Sequence, residues 1–155
     1  MKLLLAKLWK LLCLPKNLQL FAMRRLQDQF LVGVTGVIFN EKNEVLLFKH
    51  VYRAHQWSLP GGYMKAGEHP REGVEREIFE ESGLVVSADE LLKTRTDRDS
   101  ARLDICCVGV FIGGDFKPTH EVTQYGFFSQ DALPLLRKNQ ILLIDTALKQ
   151  RTRVR

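Results

Sequence analysis

No stretch of the 155-residue chain approaches the roughly 20 consecutive apolar residues that a membrane-spanning helix needs. Cysteine is scarce: Cys13, Cys106 and Cys107 are an odd count, which excludes a disulfide scaffold and fits a reducing, cytoplasmic compartment. No cysteine–histidine pair has zinc-finger spacing. Five prolines and eleven glycines are too few for a collagen-like or low-complexity chain. What is there is ordinary for one globular domain: 45% apolar and 26% charged residues. A chain of this length buries enough surface to fold without a metal or disulfide staple.

The net charge of +5 is unevenly placed. Lys2, Lys7, Lys10, Lys16, Arg24 and Arg25 face a single acid, Asp28, in the first 30 residues, and the rest of the chain is balanced. A basic nucleic-acid-binding body is therefore not expected. Residues 1–29 read as a leucine-rich helical arm, with Pro15 between an apolar segment at 1–14 and a helix over 17–27. The arm suits packing on its own domain or on a second subunit, giving a homodimer. It also suits a peripheral membrane contact, since basic and leucine-rich faces fit an anionic lipid surface. The basic tail from Lys149 reads as a frayed, solvated end.

Residues 30–155 read as one domain. Strands are expected at 30–39, 44–50, 84–86, 105–112 and 124–128. A helix is expected at 70–82, because Pro70 suits a first turn and Gly83 an exit. Two terminal helices are expected at 131–136 and 140–150, the first capped by Asp131. Hairpins mixed with one central helix give an α/β (α+β) pattern.

The chemistry concentrates in 62–84. Six glutamates lie between Glu68 and Glu81 against Arg71 and Arg76. Glu77, Glu80 and Glu81 stand at i, i+3 and i+4, on one side of the helix. Like charges so placed repel by about 1 kcal/mol per pair in water and more where solvent is excluded. A cation relieves them, and oxygen-only ligands favour a hard divalent ion, Mg²⁺ or Mn²⁺. Arg76 can pair with Glu68, Glu72 or Glu80. Val74 and Ile78 offer a core-facing stripe. Gly73 would let another backbone approach.

Gly62, then Glu68 six positions on, then Arg76-Glu77-Ile78-Phe79-Glu80-Glu81-Ser82-Gly83-Leu84 resembles the Nudix box at every specified position. The lead-in Trp57-Ser58-Leu59-Pro60-Gly61-Gly62 extends the likeness. The resemblance implies an α/β/α sandwich around a mixed β-sheet. It implies a metal-dependent hydrolase cutting the phosphoanhydride of a nucleoside diphosphate linked to another moiety. It makes Glu77, Glu80 and Glu81 metal ligands, Glu68–Arg76 a structural pair, and Gly62 and Gly83 backbone hinges. Glu121, ahead of the late strand, is the candidate for an additional ligating and catalytic carboxylate, with His120 as the alternative. The general base is either Glu77 or a carboxylate from a distant loop.

Arg53, Trp57, Tyr63 and Arg95 are candidate substrate contacts, although a solvated loop suits each arginine and packing suits Trp57. Tyr52, Lys49, His55, Arg98 and Arg102 are further candidates. Nucleotide sugars such as ADP-ribose, nucleoside triphosphates, dinucleoside polyphosphates and RNA 5′ ends all stay open as substrates, RNA being disfavoured by the neutral body. A binding module without turnover is disfavoured because every box glutamate is kept.

Overall fold

A computed structural model describes residues 15–51, 56–97 and 100–154. The apolar segment over 1–14 and the candidates Tyr52, Arg53, His55 and Arg98 lie outside the described residues. The chain divides into two units at Phe30/Leu31.

The first unit contains α1 (Lys16–Leu26). Arg24 and Arg25 occupy its last turn, where cations suit the helix dipole. Arg25 also lies over the Phe21 ring, 5.3 Å from its centroid.

In the second unit the elements are β1 (Leu31–Phe39), β2 (Val45–His50), β3 (Trp57–Ser58), β4 (Gly61–Tyr63), α2 (Pro70–Ser82), β5 (Leu84–Asp97), β6 (Arg102–Gly114), β7 (Val122–Phe128), a 3-10 turn (Gln130–Ala132) and α3 (Lys138–Val154). The sheet order is β3-β2-β1-β6-β5, with β4 also on β1 and β7 also on β2. β1 and β6 are parallel and the other pairings antiparallel, so the sheet is mixed.

Side-chain alternation sorts the strands between two cores. Val34, Ile38, Leu46, Phe48 and Cys107 pack with Val74 and Ile78 of α2. Val37, Phe39, Val45, Leu47 and Cys106 pack with Leu143, Ile144 and Ala147 of α3. The result is the α/β/α sandwich expected. Each fully buried Val or Ile contributes about 1.5–3 kcal/mol, so Val74 and Ile78 fix α2 rigidly to the sheet. Burial pushes the thiols of Cys106 and Cys107 up to about 11, which makes them inert packing groups.

Four expectations need correction. No helix spans 131–136: only the 3-10 turn forms, and Leu133 is extended because Pro134 follows it. Asp131 lies inside that turn, and Ser129 is its N-cap position. β5 runs to Asp97 rather than stopping at Val86. The basic tail is not frayed at Lys149: α3 continues to Val154, and Arg151 lies over the Phe39 ring at 4.9 Å.

Candidate active site

Helix α2 is tied at both ends. The Glu72 carboxylate accepts from the His69 N–H at 2.8 Å, closing the first turn. Gly83 adopts φ 72° and donates its N–H to the Phe79 carbonyl at 2.8 Å. That left-handed exit favours glycine. With Val74 and Ile78 buried, Glu77, Glu80 and Glu81 are carried away from the core.

Arg76 organises the entrance to this helix. It donates two hydrogen bonds to Glu68, from Nε to Oε2 and from Nη2 to Oε1, each 2.9 Å. Nη1 reaches Glu77 at 2.7 Å and Glu80 at 2.9 Å. Nη2 also donates to the Tyr63 carbonyl at 2.9 Å. Glu72, one of the partners expected for Arg76, serves the cap instead. The bond to Glu68 is the main cause that holds the Arg76 charge above its ordinary range, burial working against it. The same guanidinium holds the Glu68 carboxyl down, from 4.5 to about 2. Lys65 takes Glu80 at 2.9 Å and, with Arg76, holds that carboxyl below its ordinary range. Part of the acidic charge is therefore met within the chain.

Two glycines matter through what they leave room for. A Cβ on Gly62 would overlap the Glu77 carboxylate, whose oxygens pack onto the bare backbone of β4. Gly62 is thus a seat for Glu77 rather than a hinge. At Gly73 the close neighbour is the Glu68 side chain, 3.1 Å from a would-be Cβ. It is not the second backbone that the sequence suggested.

Glu121 arrives from the loop between β6 and β7. The Thr119 hydroxyl donates to the Glu81 carbonyl at 3.3 Å and accepts from the N–H groups of Glu121 and Val122. The Lys117 N–H donates to the Ser82 carbonyl at 2.8 Å. These bonds fasten the loop to the end of α2. Glu77, Glu80, Glu81, Thr119, His120 and Glu121 then line one cleft of about 250 Å³. Thr119 is a positioning residue that the sequence reading missed. Its only signal was a hydroxyl two residues before the candidate glutamate.

The other candidates lie elsewhere. Trp57 packs edge-on against Phe128, centroids 5.0 Å apart, at the α3-side core. Tyr63 is half exposed beneath the Arg102 guanidinium, 4.7 Å from it. Lys49 reaches Gln124 at 3.4 Å. Arg95 and Arg102 are not solvated loop residues. They stand on β5 and β6, each hydrogen-bonded to the buried Asp104.

All four carboxylates of the cleft offer oxygen, the donor set of a hard divalent ion. Among the described residues, no three acidic, histidine or cysteine side chains are gathered at ligating distance, because Glu77 and Glu80 lean on Arg76 and Lys65. The donor chemistry fits Mg²⁺ or Mn²⁺.

Two outcomes follow from this geometry. Gly62→Ala displaces Glu77 and should lower kcat/KM by about 100-fold, roughly 2.7 kcal/mol of transition-state stabilisation, as read by steady-state kinetics. Wild-type kinetics would separate Glu77 from the reaction. Glu68→Gln removes charge-assisted bonds worth about 1.5–3 kcal/mol each where shielded, less at this partly open site. It should lower stability more than metal affinity. Glu68 binds protons less readily folded than unfolded, so its stabilisation is complete above pH 4.5 and fades as pH falls through about 2. Denaturation of wild type and Glu68→Gln across that window should show the gap closing towards pH 2. A gap independent of pH would contradict the pairing.

The NUDIX domain family matches residues 29–146. An ADP-ribose pyrophosphatase of Methanocaldococcus jannaschii is 35% identical over 111 residues, 68% of this chain and 65% of that protein. The human 8-oxo-dGDP phosphatase NUDT18 is 30% identical over 139 residues, 84% of this chain and 43% of that protein. The chain spans about two fifths to two thirds of the length of such curated relatives. The crystal structure of an ADP-ribose pyrophosphatase from Streptococcus suis superposes with a TM-score of 0.68 at 28% identity, covering 79% of this chain and 92% of that one.

Proposed function

The chain belongs to the Nudix family, and from that premise we propose that it is a metal-dependent pyrophosphohydrolase. It cleaves the phosphoanhydride of a nucleoside diphosphate linked to another moiety, such as ADP-ribose, another nucleotide sugar or a nucleoside triphosphate. One observation carries the reading: Glu121 and His120, from the loop between β6 and β7, close one cleft with Glu77, Glu80 and Glu81. The printed activities of the relatives, an ADP-ribose pyrophosphatase and an 8-oxo-dGDP phosphatase, support the substrate class. In this reading residues 30–155 are the hydrolase domain and residues 1–29 a separate arm. The family match from residue 29 supports that division.

Glu77, Glu80, Glu81 and Glu121 would hold Mg²⁺ or Mn²⁺. When bound, the ion neutralises diphosphate charge and acidifies the attacking water. The chain's own work is positioning and proton transfer. Arg76 and Glu68 lock the entrance loop to α2. Gly62 keeps Glu77 in place. Thr119 holds the loop that presents Glu121. Water forms the new bond to phosphorus as the anhydride P–O bond breaks. A carboxylate oxygen of Glu121 or Glu77 takes the proton, and the leaving phosphate keeps the bridging oxygen.

The test is a product assay with Mg²⁺ and with Mn²⁺ on ADP-ribose, nucleotide sugars, oxidised and normal nucleoside triphosphates and dinucleoside polyphosphates. The expected result is turnover of at least one, abolished by EDTA. A folded, metal-loaded protein that hydrolyses none would contradict the reading.

A further inference from the structure

Helix α1 has no buried residue, although most of its sequence is apolar. Leu18, Leu20, Phe21, Met23 and Leu26 stand 44–74% exposed. Leu18, Phe21, Ala22 and Leu26 follow at the spacing that gathers side chains on one side of a helix. Lys16, Asn17 and Arg24 take the opposite side, with Leu20 between the two cations. Arg25 falls within the apolar side, where its guanidinium lies over the Phe21 ring and its long stem can carry the charge outward. Isolated helices shorter than about 12–15 residues are marginal in water. At 11 residues, α1 needs a surface that covers its apolar side.

Charge decides what that surface is. α1 holds three basic residues and no acid. Over the first 30 residues six basic side chains face Asp28 alone. A second copy of the chain would bring the same excess of positive charge to the contact, and like charges repel. An anionic surface meets the excess with opposite charge. An anionic lipid leaflet offers both that charge and an apolar layer beneath it. Residues 1–14 add seven leucines, three lysines and Trp9, residue types that suit the boundary between headgroups and acyl chains. At about 1.5 Å per residue α1 is roughly 17 Å long, against roughly 30 Å of hydrocarbon core. It therefore lies along a membrane surface and does not cross it.

We propose that α1 docks the chain on an anionic phospholipid surface. Leu18, Phe21 and Leu26 enter the acyl boundary, while Lys16, Arg24 and Arg25 meet lipid phosphates. This goes beyond the hydrolase reading and does not rest on it.

The test is sedimentation of the full chain with two sets of vesicles. One is phosphatidylcholine alone and the other phosphatidylcholine with about one third phosphatidylglycerol. The anionic vesicles are expected to bind at least tenfold tighter than the neutral ones, and less tightly as salt rises. Lys16→Gln/Arg24→Gln is expected to weaken binding at least tenfold, at roughly fivefold per basic residue. Phe21→Ser/Leu26→Ser keeps every charge and is expected to weaken it about tenfold. Both variants change exposed side chains and should melt as wild type. Equal binding to both vesicle types, or none to either, would overturn the proposal. Wild-type binding by Phe21→Ser/Leu26→Ser would overturn it too, since α1 would then not be the seat. A lipid-free dimer in sedimentation equilibrium, lost in Phe21→Ser/Leu26→Ser without any vesicle binding by wild type, would assign the apolar side to a second copy instead. None of these results depends on turnover, so failure here leaves the hydrolase reading standing, and failure of that reading leaves the docking surface.

Discussion

Glu81→Gln should lower kcat by about three orders of magnitude, roughly 4 kcal/mol of transition-state stabilisation, while melting stays close to wild type. Glutamine keeps the size of the side chain and removes the charge that the cleft gathers with Glu77, Glu80 and Glu121. Glu80→Gln should behave alike. Its side chain is 50% exposed, and its bonds to Lys65 and Arg76 are surface pairs that add little to stability. Steady-state kinetics beside thermal melts check both. Near-normal turnover in either variant removes that residue from the ligand set. A collapse of melting in Glu80→Gln would mean that the acidic face is structural.

Asp104→Ala should be strongly destabilising. It leaves Arg95 and Arg102 without their shared carboxylate in a half-buried wall. Removing one partner of a buried pair costs about 3–5 kcal/mol. At roughly 2–4 °C per kcal/mol for a domain of this size, melting should fall by about 10 °C. Calorimetry or urea denaturation checks it. A melting temperature within a degree or two of wild type would show that the triad adds nothing to the fold.

These two sites differ in how far the sequence revealed them. Helix α2 was legible to the residue, because proline, glycine, the Val74–Ile78 stripe and the carboxylate spacing all mark the same boundaries. The strands at 30–39 and 44–50 were legible from their content of Val, Ile and Phe. The Asp104 triad was not legible. Arg95 and Arg102 read as solvated because charge is ordinarily solvated, and only the register that sets Arg95 opposite Asp104 brings them together. β5 was cut short for the same reason. Its polar residues hide a strand, and the register shifts along it spoil the period-two pattern. Leu103-Asp104-Ile105, one acid at the start of an apolar strand, was the available clue. The role of Gly62 emerges only in the fold, since a glycine that seats a carboxylate looks in sequence like a glycine that turns a chain.

In the proposed function, the α2 carboxylates and the Glu121 loop form one divalent-ion site that works on diphosphates. Its most direct test is a Mn²⁺ titration of wild type and Glu80→Gln/Glu81→Gln, followed by electron paramagnetic resonance with ADP-ribose turnover measured on the same samples. Wild type should bind Mn²⁺ and hydrolyse ADP-ribose or another nucleotide of the panel. The double variant, still folded, should lose both. A double variant that binds Mn²⁺ and turns over like wild type would place the chemistry elsewhere in the molecule.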